Sequence, residues 1–132
     1  MIDLVRLSIE RPMVRATIRG QTVELRPICA ADERNIRQAF PPPARVVTGD
    51  GRGGMKPDQS DPRQQEAERW RTIQCMAAAV LVASGTAKAD DPASLITGVE
   101  SLLKVLTPGE VSEVWDLMNE ATSIDRAGAE KN

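Results

Sequence analysis

The sequence predicts an α+β fold, in which an N-terminal β-hairpin, with two or three strands, packs on a mainly helical body of about four helices. Apolar and polar residues alternate over residues 13–25, which is the periodicity of half-buried strands. Further along the chain, apolar residues recur at helical spacing behind Asp-Pro and Thr-Pro starts. At 132 residues with 41% hydrophobic content, the chain suits one domain with a single main core.

The hairpin is the first element that the pattern predicts. Its inward-facing residues are Val14, Ala16 and Ile18 on the first strand and Val23 and Leu25 on the second. Arg19 and Gly20 offer a tight turn between the strands, because Gly tolerates the positive φ that such turns need. The first eleven residues fit either a further strand or a short helix, and their pattern does not decide between the two.

A short helix is predicted over residues 30–40, with Ile36 and Phe40 on one face. Three consecutive prolines, Pro41, Pro42 and Pro43, end it, because they lack amide donors and hold the backbone extended. Residues 44–60 are rich in glycine and show no apolar periodicity, so they are expected to form a flexible loop.

The longest helix is expected to begin after Asp61, which can cap it, with Pro62 in its first turn and Gln64 at the capping-box position. Gly85 supplies a stop. Its apolar stripe consists of Trp70, Ile73, Ala77, Val80 and Leu81. The Ala77-Ala78-Ala79 run fits a close approach of another helix, or simply high helix propensity.

Two further helices are expected to form a hairpin. The first begins at Asp91-Pro92, and its apolar face comprises Leu95, Ile96, Val99, Leu102, Leu103 and Leu106. Thr107 and Glu110 form a capping box for the second helix, whose inward residues are Val111, Val114, Trp115, Met118 and Ala121. We expect residues 1–126 to form the single domain and residues 127–132 a disordered tail.

Composition argues against an enzyme. The chain has no His, the side chain most used as a general base and metal ligand near neutral pH. Its two cysteines, Cys29 and Cys75, are far apart and show no CxxC spacing. The glycines of residues 49–54 lack the Lys-Ser/Thr ending of a phosphate-binding loop, and the nearby acids do not match a calcium loop. We therefore expect no catalytic residue, no cofactor and no metal site.

The longest apolar stretch, residues 75–83, is far shorter than the roughly 20 residues of a membrane span. We therefore expect a cytoplasmic protein with no membrane partner. Residues 1–71 hold 13 basic and 10 acidic side chains, whereas residues 72–132 hold 4 and 9. This asymmetry can orient a partner or allow association into a homo-oligomer, and ordinary solvated surface charge is the simpler explanation.

Some residues have two interpretations each. Arg15 and Arg19 could form a basic patch for DNA, but a pI near 5.2 and the scarcity of aromatic residues argue against nucleic acid as a partner. Trp70 and Trp115 are predicted to be core residues, with an exposed interface position as the alternative. The Pro41-Pro42-Pro43 run is either a helix terminator or a docking element.

The order of these features resembles tail assembly chaperones of long-tailed bacteriophages. The resemblance covers roughly residues 13–122 and lies in arrangement more than in one diagnostic motif. Its segments are Val23-Glu24-Leu25-Arg26-Pro27, Phe40-Pro41-Pro42-Pro43, the Ala-rich helix and Leu106-Thr107-Pro108-Gly109-Glu110 with the Val114-Trp115 helix. The chain departs from the pattern at Cys29, where a Ser or Thr cap is expected.

The resemblance implies a protein made in the host bacterial cytoplasm that binds the tape-measure protein and helps the tail-tube protein polymerise around it. The rival functions are a structural minor tail or neck component of the virion and a small DNA-binding regulator. Under the chaperone hypothesis, the residues expected to bind the partner are Arg15, Arg19, Phe40, Pro41, Pro42, Pro43, Trp70, Ile73, Ala77 and Leu81.

Overall fold

The computed structural model describes residues 13–44, 47–49, 55–57 and 61–130. Its elements in order are β1 (Val14–Ile18), β2 (Gln21–Leu25), α1 (Ala30–Ala39), β3 (Val47–Gly49), β4 (Met55–Pro57), α2 (Pro62–Ala83), α3 (Pro92–Leu103) and α4 (Pro108–Glu130). The fold is therefore α+β, with an N-terminal hairpin and four helices among the described residues, as the sequence predicted. Within those ranges no helix has the length and apolar character needed to cross a membrane.

The first hairpin has the predicted register and turn. Val14 pairs with Leu25 and Ile18 pairs with Gln21, in antiparallel orientation. Arg19 and Gly20 both have positive φ, 50° and 83°, as a two-residue type I′ turn requires. Inward alternation places Ala16 and Leu25 in the core, so the hairpin packs on the helical body through one face.

The predicted helix starts are confirmed. The Asp61 carboxylate accepts the Arg63 amide at 2.8 Å, and Asp91 accepts the Ser94 amide at 3.2 Å. At α4, Thr107 and Glu110 form a reciprocal capping box, with the two bonds at 3.0 and 3.2 Å. The cap of α1, Cys29, makes no side-chain hydrogen bond, in line with the weaker start expected there.

The end of α2 is also built as predicted, around Gly85. Gly85 has φ +78°, and its amide donates to the Val82 carbonyl while the Thr86 amide donates to the Leu81 carbonyl. These two bonds form a Schellman motif, which satisfies carbonyls that would otherwise be unpaired at the helix end.

Two apolar clusters form the core. The larger joins α1, α2, α3 and the start of α4, and its members include Ile36, Phe40, Leu81, Leu95, Val99 and Val111. The smaller attaches the first hairpin to the C-terminal part of α2 and to α4, through Ala16, Leu25, Val80, Ala83, Val114 and Met118. Trp115 is half-buried and packs against the larger cluster.

Two segments contain secondary structure that the sequence did not predict. Residues 44–60 were expected to form a flexible loop, and β3 and β4 pair within it as an antiparallel hairpin of three-residue strands. Strands this short have too few positions for alternation to be visible. Helix α4 extends to Glu130, into residues 127–132, for which a disordered tail was predicted. Residues 1–11 and the side chain of Ala121, for which predictions were made, lie outside what the structure describes.

Candidate protein-interaction surface

Some of the residues predicted to bind a partner are core residues, and for these the prediction is wrong. Phe40 is 6% exposed, Ala77 is fully buried and Leu81 is 7% exposed. All belong to the larger apolar cluster, where α1, α3 and α4 cover the C-terminal half of α2. The helical spacing of the apolar residues correctly predicted that Ala77 and Leu81 lie on one face of α2. That face packs against other elements of the same chain and is therefore closed to a partner.

Trp70 is the opposite case. It was predicted to be a core residue, yet 51% of its surface is exposed. Apart from Gln64, the buried positions of α2 are confined to residues 77–83, so the apolar stripe continues N-terminal to the buried part of the helix.

Trp70 and Ile96 line one groove between α2 and α3, which we call the Trp70 groove. Its volume is about 350 Å³. Ile96 is 47% exposed, whereas Phe40 and Val99 in the same lining are buried. The two exposed apolar side chains therefore stand over an apolar floor. The remaining lining residues are Gln74, Glu100, Leu103 and Lys104.

Trp70 also belongs to a second cleft, of about 580 Å³, on the N-terminal half of α2. Described residues that line this cleft are Pro62, Gln65, Glu66, Arg69, Trp70 and Ile73. Ile73 is half-buried, so it supplies part of an apolar wall next to the indole. A partner bound in either cleft would contact the same tryptophan, and interface energy tends to concentrate at such a residue.

The segment from Phe40 to Pro43, which we call the proline corner, is held against α2 beside the Trp70 groove. The Arg71 Nε group donates to the Phe40 carbonyl at 2.9 Å, and the Phe40 amide donates to the Ile36 carbonyl at 3.0 Å. Pro41 and Pro42 are exposed, and Pro43 is half-buried. The docking role predicted for this run is therefore compatible with the exposure of its first two prolines.

The rim of the Trp70 groove carries charges of both signs. The Lys104 ammonium lies 3.7 Å from the Glu100 carboxylate, and both side chains are largely exposed. In the second cleft, the side chains of Glu66 and Arg69 make no ion pair or hydrogen bond with another described residue. Exposed ion pairs contribute little free energy. Apolar contact with Trp70 and Ile96 is therefore expected to dominate binding.

Arg19 and Arg15 are already partnered by carboxylates. The Arg19 guanidinium contacts both Glu110 oxygens, at 2.8 and 3.0 Å, and also donates to the Val105 carbonyl at 2.8 Å. The hydrogen bonds from Arg19 lower the pKa of Glu110 to about 2. Arg15 lies 3.5 Å from Glu24. Both arginines considered for a DNA-binding patch are thus paired with carboxylates, and Arg19 ties the hairpin turn to the start of α4.

The chain matches no protein-family model, no curated protein and no solved structure. The resemblance to tail assembly chaperones therefore stays a prediction.

The sequence analysis missed Ile96, which was assigned to the buried face of α3. Leu95, its neighbour, is fully buried. Successive helical residues lie about 100° apart, so Leu95 and Ile96 cannot both lie at the centre of the apolar stripe of α3. This geometry indicates that one of the pair lies nearer the edge of the stripe, although adjacent residues can both be buried, as Val80 and Leu81 are. It did not show that the exposed one would meet Trp70.

Proposed function

We propose that this chain is a non-enzymatic tail assembly chaperone of a long-tailed phage or prophage, which binds the tape-measure protein in the host cytoplasm and promotes tail-tube assembly. The observation that carries the proposal is the pair of exposed apolar side chains, Trp70 and Ile96, over the buried floor of one groove. An exposed Trp beside an aliphatic residue is the composition of an interface hot spot. The element order described above supports the choice of client.

A groove between two helices suits an amphipathic helix as its occupant, because the occupant can lay its apolar face along both. The tape-measure client is expected to be long and helical, so it offers many such faces. Since the rim carries both signs of charge, the groove does not require a strongly charged client. Binding of this kind is reversible when a few apolar anchors dominate it, which is what a chaperone that leaves its client needs.

The first test is co-expression of the chain with the tape-measure protein encoded in the same genome, followed by affinity purification of the soluble fraction. A soluble complex is the expected result. Trp70→Ala should weaken it by about tenfold or more, as truncation of a hot spot does. Val105→Ala is the matched control, because Val105 is an exposed apolar residue outside the groove, and it should leave the affinity within about twofold. Equal loss in both variants would contradict the assigned surface.

Composition of purified phage particles separates the chaperone from its rival. A chaperone should be absent from mature particles, whereas a structural minor tail or neck component should be present in fixed copy number. If the client stays insoluble in the co-expression and the protein is found in particles, the chaperone proposal is wrong and the structural role replaces it.

A further inference from the structure

A separate pocket lies where α1, α2 and α4 meet, and it shares no lining residue with the Trp70 groove. Its volume is about 300 Å³, at the lower end of the range of pockets that bind small ligands. The apolar lining consists of Ile28, Ile36, Met76, Ala79 and Trp115. Because α1, α2 and α4 all contribute, the pocket is a preformed feature of the fold.

The polar groups of this pocket centre on Arg71. Its Nε donates to the Phe40 carbonyl at 2.9 Å, which fixes the orientation of the guanidinium plane. A guanidinium has five N–H donors, so four remain, and they have no partner among the described residues. Arg37 also lines the pocket, but it is engaged by Glu33 at 2.6 Å. Glu33 is itself a lining residue, and its ion pair with Arg37 leaves Arg71 as the one charged group of the lining without an ionic partner among the described residues.

Cys75 is also a lining residue of this pocket, and the pKa of its thiol depends on the same surroundings. Burial raises the pKa of its thiol, while the charges of Arg71 and Arg37 act in the opposite direction. Both guanidinium groups are thus close enough to the thiol to influence it electrostatically. An anionic group would be favoured where these cations lie, and an apolar group would be favoured among Ile36, Met76 and Trp115.

We propose that this pocket binds an apolar group that carries a carboxylate, with the Arg71 guanidinium as the carboxylate's partner. The two free terminal amino groups of Arg71 match a carboxylate in a bidentate geometry, which is stronger and more specific than a single hydrogen bond. The same chemistry occurs in a free medium-chain carboxylic acid and in the C-terminal residue of a protein chain that ends in an apolar side chain.

The test compares ligands that differ only in the charged head. Isothermal titration calorimetry of the wild-type protein should show saturable binding of octanoate at one site, with octanol at least about tenfold weaker. Arg71→Gln should reduce octanoate affinity by about tenfold and leave octanol unchanged. Arg34→Gln is the matched control, since Arg34 is an exposed arginine of α1 outside this pocket and should have no effect.

The location of binding is read out by Cys75. In a Cys29→Ser protein, octanoate should slow alkylation of Cys75 by iodoacetamide with the same concentration dependence as the calorimetric binding. This measurement and the octanoate–octanol comparison do not depend on the folding of the Arg71 variant. Absence of octanoate binding, equal binding of octanol, or unprotected Cys75 would each overturn the proposal.

A second pair of ligands distinguishes the two sources of the carboxylate. N-acetyl-leucine mimics an apolar chain end, and N-acetyl-leucinamide is its uncharged counterpart. If N-acetyl-leucine binds more tightly than octanoate and its amide does not bind, the pocket takes a protein C-terminus. If octanoate binds more tightly, the pocket takes a free carboxylic acid.

Discussion

Helix α2 has an N-terminal half, residues 65–76, and a C-terminal half, residues 77–83. Both halves carry the same kind of apolar stripe, but they differ in burial. In residues 77–83 all but one of the side chains are buried, between α3, α4 and the first hairpin. In residues 65–76 none reaches that level of burial, and Trp70 is half exposed. The halves differ in how closely they are packed, since the C-terminal half lies within the apolar core and Trp70, in the N-terminal half, faces α3 across a groove.

Small side chains allow the C-terminal half of α2 to pack closely against its neighbours. Ala77, Ala78 and Ala79 are almost completely inaccessible, so the alanine run serves close packing, which is one of its two possible explanations. On α3, a Cβ added at Gly98 would lie 3.0 Å from Leu81 Cδ1, which shows how closely the helices approach. N-terminal to the alanine run, Trp70 lines a groove with α3 and the stripe becomes a surface.

The largest expected effect separates the halves by stability. Leu81→Ala should lower the free energy of unfolding by about 2–5 kcal/mol, because it removes buried methyl groups and leaves a cavity. Trp70→Ala, on the same helix, should cost about 1 kcal/mol or less, because its side chain is half exposed. Urea unfolding followed by circular dichroism measures both. Similar losses in the two variants would show that the N-terminal half is as well packed as the C-terminal half.

A smaller effect is expected at the end of the buried half. Gly85→Ala should destabilise the fold by about 1–2 kcal/mol, since φ +78° is unfavourable for any residue with a Cβ. Nothing lies within 4 Å of the added Cβ, so the cost is conformational and not steric. Gly109→Ala is the control, because Gly109 is in the first turn of α4 without a positive φ, where Ala is the better helix former. A loss at Gly85 no greater than at Gly109 would contradict this account.

The elements of this fold that depend on local sequence signals were predicted well. Asp61-Pro62, Asp91-Pro92 and the Thr107–Glu110 capping box each start a helix where expected, because a cap depends only on a few neighbouring residues. The turn at Arg19 and Gly20 followed for the same reason. Pairing of β3 with β4 could not be predicted, since three residues show no periodicity and the pairing depends on contacts across the intervening chain.

The site was less predictable because exposure is a tertiary property. Periodicity places Trp70 and Leu81 on one stripe, but only the packing of α2 and α3 decides that one is exposed and the other buried. The groove also requires Ile96, which is distant in sequence from Trp70. Arg71 is a similar case, because its hydrogen bond to the Phe40 carbonyl joins residues that no sequence motif connects.

The smallest expected effect on global stability concerns the N-terminal cap of the exposed half. Hydrogen bonds from Arg63 lower the pKa of Asp61, so the ionised carboxylate is the stabilising form. A lowered pKa in the folded state means that this stabilisation is present above the unfolded-state value, about 3.9, and is lost as the pH falls through the lower folded-state value. Near neutral pH the cap is therefore fully effective.

Asp61→Ala should fray the exposed half of α2 and leave the buried half intact, because no side chain of residues 65–76 is buried whereas nearly all of residues 77–83 are. Hydrogen–deuterium exchange near neutral pH should show several-fold faster exchange in residues 65–74, with unchanged exchange in residues 77–83. Asp61→Asn is the control, since Asn caps helices as well as Asp and does not titrate. In NMR spectra, the Arg63 amide, which donates to the Asp61 carboxylate, should shift below about pH 4 in the wild-type protein and much less in the Asn variant. Exchange that rises equally along all of α2 would mean that the two halves unfold together, and the division of α2 into a packed half and a binding half would have to be abandoned.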